Sequence, residues 1–329
     1  MEKYLLVGNG IDIQFGGYEN YSNSAIMSRV IKNINSGKYV ALTENSLSPK
    51  EQLEMLEQFV KIIDSIKAGG YKKYADGLFM LMELDRIKRT YPKRSTIESV
   101  FLEDYFLAFE TFNNSFKEKD GDEKSEFYRK VMFDFLQQIM VDCIFNDGKI
   151  NDIHKNAPVG TKKFFEHFTG IFTTNYDYNI ENILGRTDSV CHLHGEFNQL
   201  SPKYNVNSIY YTNHKTECDN LIAKKVTDMD HVYSNAVMSW SWLDKYGELI
   251  EPDTRKKEEL FKSITGQVEI LGLSPNNDEH LFLLLSQNPK VKSVVYYYFD
   301  DKDRQEMPHH IKKPITYKKA TKLWKSLEK

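Results

Sequence analysis

The sequence predicts an α/β protein in which a mostly parallel β-sheet carries a large helical insertion. Short apolar segments without charges recur along the chain, and most are followed by small polar residues and then by a stretch with helical spacing. Strands that alternate with helices form parallel sheets covered on both faces. A long central region instead repeats apolar residues at every third or fourth position, which is typical of amphipathic helices.

The predicted strands lie near both ends of the chain. The first occupies residues 4–7 and runs into Gly8 and Gly10, as a buried strand does before a tight turn and a helix. Later strand signals fall at residues 171–174, 189–193, 209–211, 268–273 and 294–299. We expect these segments to assemble a Rossmann-like sheet from residues 1–36 plus 169–329.

Residues 37–168 form the predicted all-helical insertion. One helical pattern is carried by Leu53, Leu56, Val60, Ile63 and Ile66. Two more run through 97–112, starting at a Ser95 and Glu98 capping box, and through 127–139. We expect the insertion to act either as a lid or oligomer interface, or as a stabilising cap. The final segment, residues 317–327, is predicted as a helix that docks on the body of the protein, and a helix that binds a partner is the alternative.

The composition argues against several classes of protein. A net charge of −3 over 329 residues provides no cationic field, so nucleic acid is not indicated as a partner. No stretch approaches the roughly 18 apolar residues of a membrane span, and the early strand leaves no room for a signal peptide. Cys143, Cys191 and Cys218 are widely spaced, which is typical of reduced thiols and excludes a paired-cysteine zinc module. We therefore expect a cytoplasmic protein without a membrane contact.

The first candidate site is Gly8-Asn9-Gly10, directly after the first strand. Glycines let a backbone approach a phosphate at the start of a helix. The full G-x-G-x-x-G pattern is absent because Ile13 stands at the third glycine position, and no acidic residue marks a second strand end. A redox dinucleotide enzyme is therefore disfavoured, and a tight turn without a ligand stays the alternative.

Two further clusters follow predicted strands, where open α/β sheets place their ligands. Thr173-Thr174-Asn175-Tyr176-Asp177 either belongs to a ligand site or caps the helix that begins near residue 178. The segment 271–278 contains Gly272 and Ser274, and Ser274 either holds an adenosine ribose or caps the next helix. Each cluster is ambiguous alone, but their repeated placement at strand ends indicates a dinucleotide site.

A histidine pair closes another predicted strand, at His192-Leu193-His194-Gly195. Alternation along a strand places His192 and His194 on the same face, so both can point towards one crevice. Zinc is the competing interpretation, and it lacks a third ligand at suitable spacing.

The order Gly8-x-Gly10, Thr174-Asn175-x-Asp177, His194-Gly195 and Gly272-x-Ser274 resembles the sirtuin-like family. It is most similar to the divergent bacterial branch found in antiphage defence, including the AbiH abortive-infection group. The openings of that group, of the form G-N-G-[FI]-D, match residues 8–12. The resemblance covers the sheet segments and leaves the helical insertion unexplained.

The resemblance implies an NAD site with two catalytic residues. Asn175 would orient the attacking water, and His194 would be the polar group at the ribose. Asp177 would contact the nicotinamide side, and Gly272 with Ser274 would bind the adenosine half. The other implied NAD-binding residues are Gly8, Asn9, Gly10, Asp12 and Thr174.

The resemblance further implies that NAD is a substrate, cleaved without a metal to nicotinamide and ADP-ribose. The chain departs from sirtuin deacetylases because it lacks cysteine zinc ligands and has a helical insertion where a peptide cleft is expected. Nicotinamide leaves as a neutral molecule from a cationic group, so positioning and electrostatics supply most of the acceleration. His194, with an ordinary pKa of about 6.5, is suited to accept a proton near neutrality.

An unrestrained NAD hydrolase would harm its own cell. We therefore expect gating, through a homo-oligomer or through an activator protein of the same defence system. Two alternatives stay open at this point. One is a sensor or scaffold that binds NAD or ADP-ribose without turnover, and the other is a protein deacylase or ADP-ribosyltransferase.

Overall fold

The structure is a computed structural model, and its contacts divide the chain into two compact units. It describes residues 2–40, 47–75, 77–91, 94–120, 132, 135–136, 139–140, 142–186, 190–193, 208–210, 232–234, 252–275 and 278–328. The first unit comprises residues 1–18, 149–196 and 252–329, and the second unit comprises 19–148 and 197–251. The predicted domain boundaries, 1–36 plus 169–329 and 37–168, stay a prediction.

A six-stranded parallel sheet forms the centre of the first unit. Its strands are β1 (Lys3–Val7), β2 (Gly170–Thr173), β3 (Val190–His192), β4 (Gly266–Leu271), β5 (Val291–Tyr298) and β6 (Ile315–Lys319). Every neighbouring pair is parallel, and the order across the sheet is β3-β2-β1-β4-β5-β6. This is the strand order of a Rossmann sheet. The predicted α/β class with a Rossmann-like parallel sheet is confirmed.

The central strands are apolar because helices flank the sheet on both of its faces. In β1, Leu5, Leu6 and Val7 are fully buried. Leu6 lies in a core cluster with Phe261 and Phe282, which come from the helices on either side of β4 in the sequence. The flanking elements are the helices Gly10–Gly16, Thr161–Phe165, Asn179–Leu184, Pro252–Ser263, Glu279–Gln287, Asp301–His310 and Ala320–Leu327, and the 3-10 helix Lys149–Asn156.

The C-terminal segment begins as a strand, so the prediction of a helix from residue 317 is wrong for its first residues. Tyr317 pairs with Tyr296 of β5, and the helix starts only at Ala320. Aromatic and β-branched residues favour the extended backbone that adds an edge strand here. The docking of the helix is confirmed, because Trp324 is buried and its ring meets Phe15 edge to face at 5.2 Å.

The second unit is mainly helical in the residues that are described. Its helices are Asn23–Asn35, Pro49–Lys67, Gly77–Thr90 and Leu102–Asp120, with 3-10 turns at Lys72–Tyr74 and Ile97–Ser99, and the short helix Tyr18–Tyr21 precedes them. Further helical residues occur between 132 and 145. The helix predicted around Leu53 to Ile66 is confirmed, and Ser48 with Glu51 forms a capping box at its start. The predicted helical insertion is confirmed to this extent.

Two predicted details are wrong for residues that belong to the second unit: the capping box at Ser95, and the place of residues 209–211 in the main sheet. Ser95 does not start a capping box with Glu98, because its amide donates to Asp64 at 3.1 Å, and the helix begins later, at Leu102. The strand predicted at 209–211 also lies outside the main sheet. The strand Ser208–Tyr210 pairs antiparallel with Val232–Ser234 in a two-stranded sheet. An antiparallel pair forms without the crossover that a parallel strand needs.

Phe127 and Val131, from the third predicted helical pattern, lie outside the described residues. None of the helices in the described ranges combines the length and the apolar character that a bilayer crossing demands.

A buried ion pair holds two helices of the second unit together. Arg86 and Asp104 are almost fully buried and form a hydrogen-bonded pair. Glu83 accepts a second hydrogen bond from Arg86 at 2.7 Å, and the Tyr91 hydroxyl donates to Asp104. Removing one member of such a pair leaves a buried charge without its partner.

We predict that Asp104→Ala lowers the free energy of unfolding by about 3–5 kcal/mol, because Arg86 stays buried without its carboxylate. The matched control is Glu54→Ala, since Glu54 forms an exposed pair with Lys50 at 3.6 Å. That pair should contribute less than about 1 kcal/mol. Urea unfolding followed by circular dichroism measures both values, and equal losses in the two variants would contradict the prediction.

Candidate functional site

The carboxyl ends of β2, β1 and β4 meet at one edge of the sheet. Backbone hydrogen bonds join their turns: Thr174 N donates to Val7 O at 3.0 Å, and Gly8 N donates to Leu271 O at 3.0 Å. The strand order reverses between β1 and β4, and ligands of open α/β sheets bind at such a reversal. Three of the predicted clusters therefore lie side by side, as the sequence predicted from their positions at strand ends.

The glycines of the first and last clusters pack against each other. A β-carbon on Gly10 would lie 2.5 Å from Gly272 Cα, and one on Gly8 would lie 2.7 Å from Gly272 O. Gly272 has a φ of 73°, which side chains rarely allow. Close approach of two turns therefore requires all three glycines, which sequence reasoning did not foresee. Their assigned contact with NAD phosphates or adenosine stays a prediction.

Asn175 is fixed by hydrogen bonds from three directions. Its amide donates to Thr173 Oγ1 at 3.1 Å, and its carbonyl oxygen lies 2.7 Å from His192 Nδ1. Its side-chain Nδ2 donates to Asp12 Oδ2 at 2.9 Å. This hydrogen bond sets which end of the Asn175 carboxamide faces Asp12. The Oδ1 atom of Asn175 is left as an acceptor that no described residue engages.

Asp12 and Asp177 form a buried pair of carboxyl groups. Both side chains are 3% exposed, and Asp12 Oδ1 and Asp177 Oδ2 meet no donor group from the rest of the described chain. Burial raises the pKa of Asp12 well above its ordinary value, and the charge and hydrogen bond of Asp177 raise it further. Both effects favour the protonated form of Asp12.

The other oxygen of Asp177 caps a helix, which is one of the two interpretations that the sequence left open. Asp177 Oδ1 accepts from Asn179 N at 2.8 Å, at the first residue of the helix Asn179–Leu184. The Asn179 side chain donates to Ile150 O at 2.8 Å and accepts from His154 N at 3.0 Å. The predicted contact of Asp177 with nicotinamide stays a prediction. Asp177 Oδ2, the other oxygen, accepts no hydrogen bond from the described residues.

His192 faces the site from β3 and has a partner that sequence reasoning missed. Its Nε2 lies 2.7 Å from Glu181 Oε1, and both side chains are buried. The Tyr178 ring packs near the imidazole, with centroids 5.5 Å apart. The signal available in the sequence was Glu181 itself, the one acidic residue in the short helix Asn179–Leu184. His194 and Gly195 lie outside the described residues, so the shared face of the two histidines stays a prediction.

Ser274 and Asn9 complete the predicted set. Ser274 is half-buried, and the preceding Leu273 O accepts from the Tyr296 hydroxyl at 3.0 Å, which holds this turn to β5. Ser274 is not the cap of the helix Glu279–Gln287, because Asp278 occupies that position. Asn9 is exposed at the turn before the helix Gly10–Gly16, and Thr174 is half-buried.

Within the described ranges, no group of three or more His, Cys, Asp or Glu residues is placed to hold a metal ion. The prediction that the reaction needs no metal stays a prediction. Cys143 and Cys191 are free thiols, and Cys218 lies outside the described residues. Comparisons of the chain with protein-family models, with curated proteins and with solved structures found no match.

We predict that Gly10→Ala destabilises the first unit by roughly 1–3 kcal/mol or more, because the added methyl group would meet Gly272 backbone. Gly170→Ala is the matched control in the same sheet. A β-carbon there would lie 3.3 Å from the Tyr4 ring, whose edge can move aside. Thermal unfolding measures both variants, and a loss at Gly170 as large as that at Gly10 would contradict the role of this turn contact.

The raised pKa of Asp12 predicts a pH dependence. A carboxyl with a raised pKa in the folded state stabilises the fold below its unfolded pKa of about 3.9, and that stability is lost as pH rises through the folded pKa. Asp12→Asn removes this titration. The unfolding free energy of the wild type, minus that of Asp12→Asn, should therefore fall as pH rises above about 4. Urea unfolding between acid and neutral pH measures this difference. If the difference increased with pH, it would contradict a raised pKa of Asp12 in the folded state.

Proposed function

We propose that the protein hydrolyses NAD+ at the nicotinamide–ribose bond and releases nicotinamide and ADP-ribose. The observation that carries the proposal is the fixed carboxamide of Asn175 at the carboxyl end of β2. Asp12 turns its nitrogen inward, and its Oδ1 stays open as an acceptor beside the reversal of strand order. A positioned acceptor of this kind is what a water molecule needs in order to attack from a defined direction.

The charge of the Asp12–Asp177 pair supports the same reaction. Breaking the nicotinamide–ribose bond leaves positive charge on the ribose, and a fixed negative charge nearby stabilises that charge. The raised pKa of Asp12 favours its protonated form, which reduces the repulsion between the two carboxyl groups. In the proposed mechanism Asn175 orients the water, the acid pair stabilises the ribose cation, and His194 accepts the proton.

The proposed NAD site spans the reversal of strand order. The start of the helix Gly10–Gly16, with Asn9 before it, would face the phosphates, and the Gly272 turn with Ser274 would face the adenosine half. Thr174 stands between these turns and Asn175. The turns at Gly10 and Gly272 are in contact, so in this proposal the phosphates and the adenosine would bind to adjoining turns.

A binding module is the second candidate, and one observation favours it. The packing of Gly8 and Gly10 on Gly272 explains these glycines without any catalytic requirement. A protein that senses NAD or ADP-ribose would keep this packing of the two turns and leave NAD intact. Calorimetry with NAD, together with chromatography of the products, distinguishes binding alone from turnover.

We propose further that the activity is gated, as an effector of abortive infection in bacterial antiphage defence. The support is chemical, since continuous NAD hydrolysis would deplete the host cell, together with the resemblance of residues 8–12 to the openings of that group. Assembly of several copies, or binding of an activator protein, would release the activity.

We predict that the purified wild type, co-expressed with its neighbouring genes, releases nicotinamide from NAD. Asn175→Ala should lower kcat on the order of 100-fold, because the water loses its positioned acceptor, and His194→Ala should do the same. The control is Asn156→Ala, in which an asparagine of the same unit loses a hydrogen bond to Phe15 O of 2.9 Å. Chromatography measures nicotinamide, and full activity in both site variants would overturn the assignment.

A further inference from the structure

A buried pair stands directly behind Asn175. Glu181 and His192 are each at most 3% exposed, and Nε2 of the imidazole lies 2.7 Å from Glu181 Oε1. The other ring nitrogen, Nδ1, lies 2.7 Å from the peptide oxygen of Asn175. The pair therefore connects the helix Asn179–Leu184, through β3, to the residue that offers its carboxamide at the site.

The hydrogen-bond chemistry fixes where the proton of His192 must lie. A peptide oxygen can only accept, so Nδ1 carries a hydrogen in either charge state of the ring. Nε2 then shares a proton with Glu181, as a histidine does when a carboxylate orients it. This arrangement leaves Nδ1–H pointing permanently at Asn175.

We propose that Glu181 and His192 are positioning residues for Asn175. His192 holds the peptide oxygen of Asn175, and Glu181 holds the ring of His192 in the orientation that makes this bond. The catalytic consequence rests on the proposed NAD hydrolysis, whereas the positioning itself does not.

The three tethers of Asn175 come from different elements, which gives His192 a specific effect. Thr173 belongs to the same strand end as Asn175, and Asp12 lies on the helix Gly10–Gly16 and holds only the side chain. His192 is the tether of the backbone from the neighbouring strand β3. Without the hydrogen bond from His192, the backbone of Asn175 can shift while its side chain keeps the hydrogen bond to Asp12. A misplacement of a catalytic group by about 1 Å costs on the order of 100-fold in rate.

The chain contains a matched pair that serves as a control. His310 is buried and lies 3.5 Å from Glu279 through Nδ1, and its ring packs on Phe282. This second histidine–glutamate pair belongs to the same unit and lies between helices rather than at Asn175. His310→Ala should therefore lower stability and leave the kinetics unchanged.

The first experiment measures kcat and KM for NAD in three variants. His192→Ala should lower kcat by roughly 10- to 100-fold with little change in KM, since the reacting geometry rather than NAD binding is disturbed. His192→Asn should restore most of kcat, because its amide nitrogen takes the place of Nδ1. Glu181→Gln should keep activity within several-fold of the wild type, because a neutral ring still donates from Nδ1. The split of kcat from KM, and the rescue by asparagine, would not arise from a loss of stability.

The second experiment needs no turnover. In protein with 15N-labelled histidine, the His192 signals, identified by their absence in His192→Asn, should show a protonated Nδ1 across neutral pH. The side-chain amide signal of Asn175 should move or broaden in His192→Ala and stay unchanged in His310→Ala. An Nδ1 without a proton would overturn the positioning proposal. A side-chain amide signal of Asn175 that is unchanged in His192→Ala would do the same.

The two experiments separate the two proposals. If the wild type cleaves no NAD and the spectra are as expected, the proposed function fails and the positioning of Asn175 stands. If NAD is cleaved and His192→Ala retains full kcat, the positioning proposal fails and the hydrolase stands.

Discussion

The contact between Gly10 and Gly272 is the constraint on which the site depends. These residues bring the turns after β1 and β4 within backbone contact, and Gly10 N donates to Gly272 O at 2.8 Å. Gly10 also begins the helix that carries Asp12. The turn contact therefore sets the position of Asp12, and Asp12 in turn sets the orientation of the Asn175 carboxamide. A single close approach between backbones thus determines which atom of a distant side chain faces the site.

Buried ionisable side chains surround Asn175. Burial and the neighbouring Asp177 raise the pKa of Asp12, and Glu181 Oε1 lies 2.7 Å from His192 Nε2. Each carboxyl has an oxygen that the described residues leave without a donor. Buried charges that lack a partner are costly, and such costs persist mainly where function requires them.

The sequence predicts the sheet well because its strands are buried on both faces. Segments such as residues 4–7 and 268–271 are almost entirely apolar. Short apolar runs of this kind are typical of parallel strands that are buried on both faces. The edge strand β6 was missed because it is short and ends in two consecutive lysines, Lys318 and Lys319, which the pattern of the following helix also accommodates. Asn175 and Asp177 were identified from their place after a strand, and the structure brings them together with Asp12. Glu181 was missed because its burial depends on His192, a contact between separate elements that no local pattern records.

Two of the covalent connections between the units adjoin elements of the first unit that hold the site. The chain leaves the first unit after residue 18, shortly beyond the helix that carries Asp12, and returns at residue 149 in the 3-10 helix Lys149–Asn156. That 3-10 helix binds Asn179 through Ile150 and His154, and Asn179 holds Asp177. These two connections, of the four that the division of the chain creates, therefore lie next to elements that hold Asp12 and Asp177. A change in the second unit that travels along these two connections would reach the elements that hold Asp12 and Asp177.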